Sequence, residues 1–241
     1  MRALIVDDEI HAREELEALL KETGEFQVVG KCANGLEAIQ AVKLHRPDVL
    51  FLDIQMPVIG GFEVLSMIED ELMPTVVFVT AYDEYALKAF DENALDYLLK
   101  PVERTRLART VQRLKKLIQD GSRPVYPLEP VKKIPCVSGN RLKLIDVADV
   151  EYVKSELAGV YLVCAKGKFF TELTLKVLEA RANLIRCHKQ YLVNMDQVDE
   201  ILLGETHSAM ITTRSGMAIP VSRRYLKHLK KVLGLCASHR T

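Results

Sequence analysis

The sequence has no tryptophan, few aromatic residues and no long uninterrupted hydrophobic run, and these scarcities remove several classes of protein. Its longest apolar stretches, such as Asp48 to Ile54 and Thr75 to Ala81, fall far short of the ~18 consecutive apolar residues that a membrane-spanning helix needs. No bilayer crossing is expected. The chain starts through Ala3-Leu4-Ile5-Val6 straight into Asp7, Asp8 and Glu9, without the basic region, apolar core and small-residue cleavage site of a secretory signal, so a cytoplasmic location is expected. The five cysteines, Cys32, Cys136, Cys164, Cys187 and Cys236, are scattered and form no CxxC pair. This pattern argues against a disulfide framework and a structural zinc site, and it reads them as buried small apolar residues, with Cys236 an exception near an exposed end. There is no internal repeat or low-complexity tract.

What is present is a chain of 241 residues, 49% hydrophobic and 27% charged, enough for one large globular domain or two of ordinary size and too apolar for disorder. The net charge of zero hides an asymmetry: residues 1–120 hold 14 Lys and Arg against 22 Asp and Glu, and residues 121–241 hold 19 against 11. Opposite signs suggest two domains with different partners, the acidic one suited to a cation or cationic surface and the basic one to nucleic acid.

The texture also divides. Short β-rich runs at Ala3–Val6, Gln27–Cys32, Val49–Leu52, Val76–Thr80 and Tyr97–Leu99 alternate with helical spacings. These are Leu16, Leu19 and Leu20; Ala38, Ile39 and Val42; Val64, Leu65 and Ile68; Ala86, Leu87 and Phe90; and a helix over Arg104–Gln119. Five strands alternating with five helices predict an α/β fold, a doubly wound five-stranded parallel sheet over residues 1–118, whose ligands sit beyond the carboxyl ends of the strands. A linker over 119–133 follows, marked by Asp120-Gly121-Ser122-Arg123-Pro124 and by Pro127 and Pro130. Residues 134–236 carry closely spaced β segments with glycine turns and two modest helices, Leu173–Arg181 and Arg223–Leu233, and predict a mostly antiparallel β domain.

The predicted strand ends carry chemistry. Asp7 and Asp8 end the first strand and Asp53 the third, placing three carboxylates in one crevice, and such a group repels unless a cation sits among them. Hard oxygen donors in an open site suit Mg²⁺. The hydroxyl of Thr80 ends the fourth strand and the ammonium of Lys100 follows the fifth, which together form the set that phosphoryl transfer needs to neutralise developing charge.

The motifs Leu4-Ile5-Val6-Asp7-Asp8-Glu9, Asp53-Ile54-Gln55-Met56-Pro57 with Gly61, Thr80-Ala81 and Tyr97-Leu98-Leu99-Lys100-Pro101 resemble the receiver domain of two-component response regulators. The resemblance implies that Asp53 is phosphorylated by a sensor histidine kinase. It also implies that Asp8 and Asp53 bind Mg²⁺ with Asp7 acting mainly through water, and that the Gln55 carbonyl completes the protein ligands. Thr80 and Lys100 would bond the phosphoryl oxygens, Tyr97 would be an aromatic switch, and Lys100-Pro101 would be a cis peptide. Phosphorylation would favour a homodimer through the Ala86–Phe90 helix, the Tyr97–Leu99 strand and the Arg104–Gln119 helix, whose charges include Lys88, Asp91, Glu92, Asp96, Arg109 and Arg113.

The basic half has two clusters, Arg186-Cys187-His188-Lys189-Gln190-Tyr191 and Ser222-Arg223-Arg224-Tyr225 with Lys227, His228, Lys230 and Lys231. Such interleaving can hold phosphates and reach base edges. No zinc-finger spacing, zipper or convincing helix-turn-helix is present, so a β reader must use loops or strands. The segments Leu184–Asn194 and Pro220–Leu226 resemble the LytTR DNA-binding domain, and with Phe170–Leu175 they look like its BtsR branch. That resemblance implies a transcriptional regulator paired with a LytS-type sensor kinase. Duplex promoter DNA would be contacted by His188, Lys189 and Arg224, with Arg223 a neighbouring candidate and the Ser155–Gly159 loop a third contact. Tyr191, Leu192 and Val193 read as core.

Two other classes are weaker. A receiver-regulated enzyme finds no G-x-S-x-G elbow, GGDEF-type loop or metal-ligand His/Asp cluster in the second half, and a dehalogenase-like phosphatase would need an Asp where Gln55 stands. An RNA-binding antiterminator would call for exposed stacking aromatics, for which Phe169-Phe170 are the paired candidates.

Overall fold

The computed structural model describes residues 1–82, 94–121, 126, 128–139, 141–204 and 209–234. The helical pattern at Ala86–Phe90, the charges Lys88, Asp91 and Glu92, the linker residues Ser122, Arg123, Pro124 and Pro127, and Cys236 lie outside them. The chain divides into two compact units, Met1–Glu129 and Pro130–Thr241.

In the first unit β1 (Arg2–Val6), β2 (Gln27–Cys32), β3 (Val49–Leu52), β4 (Thr75–Thr80) and β5 (Asp96–Leu99) form a parallel sheet in the order β2-β1-β3-β4-β5. Every residue of β3 and of β4 is buried, which is why these stretches read as continuous apolar runs rather than alternating ones. Helices α1 (Ile10–Glu22), α2 (Gly35–His45), α3 (Gly61–Ser66) and α4 (Arg104–Gln119) connect or follow the strands. Leu16 and Leu20 of α1 and Leu107, Val111 and Leu114 of α4 close over Ile5, Phe51, Val77 and Leu98. The chain passes from β1 outward to β2 and then back across β1 to β3, so strand order reverses between β1 and β3. Ligand crevices of such sheets open at that reversal, on the side where Asp7 and Asp53 emerge.

Two tethers were not visible in the sequence. Tyr126, in the stretch read as linker, is buried, and its hydroxyl accepts from Val76 N–H at 2.8 Å and donates to the Pro74 carbonyl at 3.2 Å. Asp96, at the start of β5, accepts from Thr110 Oγ1 at 2.7 Å, from Arg113 Nη1 at 3.2 Å and from both terminal nitrogens of Arg106. At 6% exposure it is an internal group whose oxygens are taken, not a free surface charge.

In the second unit β6 (Lys133–Ser138), β7 (Arg141–Asp146), β8 (Val150–Glu156), β9 (Gly159–Cys164), β10 (Gly167–Thr171), β11 (Ile185–His188) and β12 (Tyr191–Val193) form an antiparallel seven-stranded sheet, ordered β11-β12-β8-β9-β10-β6-β7. A three-stranded sheet holds β13 (Val198–Leu203), β14 (Ala209–Thr213) and β15 (Ala218–Val221), and the helices are α5 (Leu175–Arg181) and α6 (Arg223–Val232). Tyr152, Cys187 and Val193 meet Ile211, Ile219 and Val221 of the smaller sheet and Leu226 and Leu229 of α6 in one core. Strands β6, β11 and β12 are weakly marked in the sequence. β6 contains Pro135, a poor strand residue, and the β11–β12 turn, Lys189-Gln190, carries none of the Gly, Asn or Asp that announces a tight hairpin.

The four described cysteines are buried and free, and burial pushes the thiols of Cys32, Cys136 and Cys187 up to about 12. Among the described residues no helix is long and apolar enough to cross a membrane.

Burial alone would raise the pKa of Asp96, but the hydrogen bonds from Arg106 and Thr110 outweigh it and hold the carboxyl below its ordinary value. Asp96→Asn should therefore destabilise the full chain by about 1–3 kcal/mol in urea unfolding. A depressed carboxyl pKa contributes stability above the unfolded value, so the gap between wild type and variant should be full at pH 7 and close as pH falls through the native pKa.

Candidate functional site

Asp7 follows β1 and Asp53 follows β3, and the register Val6 to Leu52 sets the two ends side by side. With Asp8 they bring three carboxylates within 4.8 Å of one another, Asp7 and Asp53 buried and Asp8 exposed. Lys100 Nζ lies 2.6 Å from Asp7 Oδ2 and 2.8 Å from Asp53 Oδ2, bridging the buried pair. The other oxygens accept backbone donors: Glu9 N–H reaches Asp7 Oδ1 at 3.0 Å and Gln55 N–H reaches Asp53 Oδ1 at 3.2 Å. Burial raises the pKa of Asp7 in spite of the Lys100 and Glu9 hydrogen bonds. Burial would lower that of Lys100, yet its bonds to Asp53 and Asp7 hold it above the ordinary value.

The loop beyond Asp53 turns tightly and passes close to the Asp53 backbone. Val58 sits at φ 73, where Ile59 N–H closes a γ-turn on the Pro57 carbonyl at 2.9 Å. Such a conformation is strained for a β-branched residue. Gly61 then passes so close that a Cβ there would stand 2.4 Å from the Asp53 carbonyl oxygen, so only glycine lets α3 start at this point.

Thr80, the last residue of β4, is completely buried, and its hydroxyl has no hydrogen-bond partner among the described residues. Lys100 N–H donates to the Thr80 carbonyl at 2.9 Å, which aligns the two ends, and the Lys100-Pro101 peptide is cis, as the resemblance implies. Tyr97 is half-buried and its hydroxyl donates to the Tyr82 carbonyl. Asp7, Asp8, Asp53, Thr80 and Lys100 thus converge at one end of the sheet, with the Gln55 backbone beside the Asp53 carboxylate. The clustered carboxylate oxygens fit a hard divalent cation such as Mg²⁺, and an orphaned buried hydroxyl at the same end of the sheet fits an incoming phosphoryl oxygen.

In the second unit His188 ends β11, Lys189 and Gln190 make the turn, and Tyr191 opens β12. Gln190 N–H donates to His188 Nδ1 at 3.2 Å, so in the neutral ring Nε2 carries the hydrogen. Ser155 N–H donates to the Gln190 carbonyl at 2.8 Å, tying the end of β8 to this turn. Ser222 N–H donates to the Cys187 carbonyl at 2.9 Å and so brings the start of α6 beside β11. His188 and Lys189 therefore share one region with Arg223 and Arg224, and of these Lys189, Arg223 and Arg224 are exposed. Leu157, in the expected third contact, is fully exposed at the β8–β9 turn. Leu192 and Val193 are core and Tyr191 is half-buried. Sequence reasoning grouped Arg186 with the surface cations, but its guanidinium turns inward onto the backbone of its own hairpin.

Two family models match the chain, the response regulator receiver domain over residues 3–112 and the LytTr DNA-binding domain over residues 140–234. The transcriptional regulatory protein BtsR of Escherichia coli K12 is 49% identical over 241 residues, 98% of this chain and 100% of that protein. BtsR of Salmonella typhi is 50% identical over 241 residues, with the same coverage. A response regulatory protein of Vibrio cholerae is 49% identical over 234 residues, 97% of this chain and 99% of that one. Among solved structures, the response regulatory domain of mrkE from Klebsiella pneumoniae matches at 32% identity with a TM-score of 0.45, over 50% of this chain and 99% of its own. The chain belongs to the two-component response regulators that join a receiver domain to a LytTR DNA-binding domain, and it is a transcriptional regulator. Within that family it is similar, over nearly its whole length, to the BtsR proteins.

Replacing Lys100 isolates what its ammonium does. Lys100→Ala leaves the Asp7–Asp53 pair facing each other without a bridging cation, so its melting temperature at pH 7 in chelator should fall below that of wild type. Because the Asp7 pKa is already raised, the native state takes up protons early. The deficit should therefore shrink as pH falls towards 4 and also when Mg²⁺ is added, measured by thermal melts at fixed ionic strength.

Proposed function

We propose that Asp53 takes a phosphoryl group from the phosphohistidine of a LytS-type sensor kinase and that the phosphorylated chain controls transcription by binding promoter DNA. A carboxylate oxygen of Asp53 forms the new bond to phosphorus as the phosphorus–nitrogen bond breaks, and the imidazole leaves with its electron pair. Asp7, mainly through water, together with Asp8, Asp53 and the Gln55 carbonyl would hold Mg²⁺, which when bound supplies neutralisation of the phosphoryl charge. Lys100 and Thr80 bond the phosphoryl oxygens, and Tyr97 is the switch that responds when Thr80 does. The observation that carries this reading is the convergence of three carboxylates, one ammonium and an orphaned buried hydroxyl at one end of the sheet.

In the second unit His188, Lys189 and Arg224 reach base edges, with Arg223 beside them. Phosphorylation favours a homodimer, for which the exposed Arg109 of α4 offers pairing charge, whereas Asp96 is held internally.

Acetyl phosphate with Mg²⁺ should label the wild-type chain and leave Asp53→Ala unlabelled; label at wild-type level on the variant would end the assignment. On DNA, Arg224→Ala should weaken binding to the cognate promoter by about 1–3 kcal/mol and hardly affect scrambled duplex, because a planar fork can read guanine bidentately. Lys230→Ala should weaken both alike and flatten the salt dependence by roughly one unit of slope. Equal losses on both duplexes for Arg224→Ala would make it a phosphate contact.

A further inference from the structure

We propose that Arg186 is a positioning residue that holds the β11–β12 turn in the shape from which His188 and Lys189 face DNA, and that it makes no DNA contact itself. The inference rests on the reading of that turn as a DNA contact.

The guanidinium is used in three directions. Nε donates to the His188 carbonyl at 3.0 Å, Nη2 to the Lys189 carbonyl at 2.7 Å, and Nη1 lies 3.5 Å from Glu179 Oε2. The Arg186 side chain is 17% exposed, whereas Arg223 and Arg224 stand on the surface. A basic residue this enclosed, with an acidic partner at its outer nitrogen, is poorly placed to give its charge to a phosphate. The turn also needs outside support. Lys189-Gln190 has none of the residues that favour the left-handed conformations of tight hairpins. The register slips between Arg186 and His188, so Cys187 forms a bulge that breaks the alternation of β11 and re-aims His188. Two successive carbonyls pinned by one rigid planar fork fix both the bulge and the turn. Lysine has the charge but not the fork.

The full-length protein is titrated with cognate promoter and with scrambled duplex at several salt concentrations. The proteins are wild type, Arg186→Lys, a His188→Ala/Lys189→Ala double variant, and the same double variant carrying Arg186→Lys. Arg186→Lys should lose about tenfold on the cognate site, the scale of one base-reading contact, with scrambled-duplex affinity and salt slope unchanged. In the double-variant background it should lose nothing further, because the groups it acts through are gone. Equal losses on both duplexes with a shallower slope would make Arg186 a phosphate contact, and full cognate affinity would make it idle; either result overturns the proposal. A further loss in the double-variant background would also overturn it. So would a lowered melting temperature with both affinities reduced together, which marks a merely structural residue. If the double variant itself keeps wild-type discrimination, the reading of this turn as a DNA contact fails along with the inference, and that result is separable from a failure confined to Arg186→Lys.

Discussion

The acidic end of the first unit depends on one ammonium placed between two buried carboxylates. Asp7 and Asp53 are each almost without solvent, and like charges so close and so poorly hydrated oppose the fold unless a cation is delivered between them. The sheet delivers it. Pairing of Val6 with Leu52 places the two acids, and pairing of Thr80 with Leu99 places the residue after β5, Lys100, opposite them. Side chains alternate along a strand, so a slip of one residue in either pairing would send an acid or the lysine to the wrong face. The register of the core strands and the geometry of the site are therefore one property, and the wholly buried β3 and β4 that look like packing alone also set the distances to Lys100.

This explains why so much of the first unit was legible. Parallel strands buried on both faces leave uninterrupted runs of Val, Leu, Ile and Phe, and the polar residue that ends each run marks the crevice by position alone. Asp7, Asp53, Thr80 and Lys100 needed no knowledge of contacts to be found. Asp96 shows where that logic stops. It stands at the beginning of a strand, and nothing local separates a solvated acid from one held by Arg106, Thr110 and Arg113, which lie 10 to 17 residues away. Tyr126 was hidden for the same reason, because its partners at Pro74 and Val76 are about 50 residues distant and its neighbours in sequence are linker-like.

In the second unit the limitation is different. The strands are short and half-exposed, so periodicity is weak, and β11 and β12 join through a turn with no turn residues. Composition identified the basic clusters but could not divide their labour. Arg186, Lys189 and Arg224 are alike in charge. One spends its donors on backbone carbonyls, one projects from a turn, and one stands on the first turn of a helix beside the Tyr225 ring. Arginine serves the first task because five donors on a rigid plane can satisfy two carbonyls and a carboxylate at once, a geometry that sequence spacing does not encode.

The hydroxyl of Thr80, unpaired among the described residues, is the remaining imbalance. A buried hydroxyl left unpaired costs about 1–3 kcal/mol, and natural folds rarely keep such a group without a use for it. The neighbouring groups are already committed: Lys100 to the two acids, the Tyr97 hydroxyl to Tyr82, and the Thr80 carbonyl to Lys100 N–H. A phosphoryl oxygen on Asp53, as the proposed function requires, would supply the missing acceptor and draw on Lys100 at the same time. A ligand shifts a conformational equilibrium only by its different affinity for the two states. That difference would lie in an oxygen bonded by Thr80 in one state and absent in the other, and Tyr97, which pairs with Phe78 two residues before Thr80 and donates to the Tyr82 carbonyl two residues after it, is the side chain that the proposed function asks to register it.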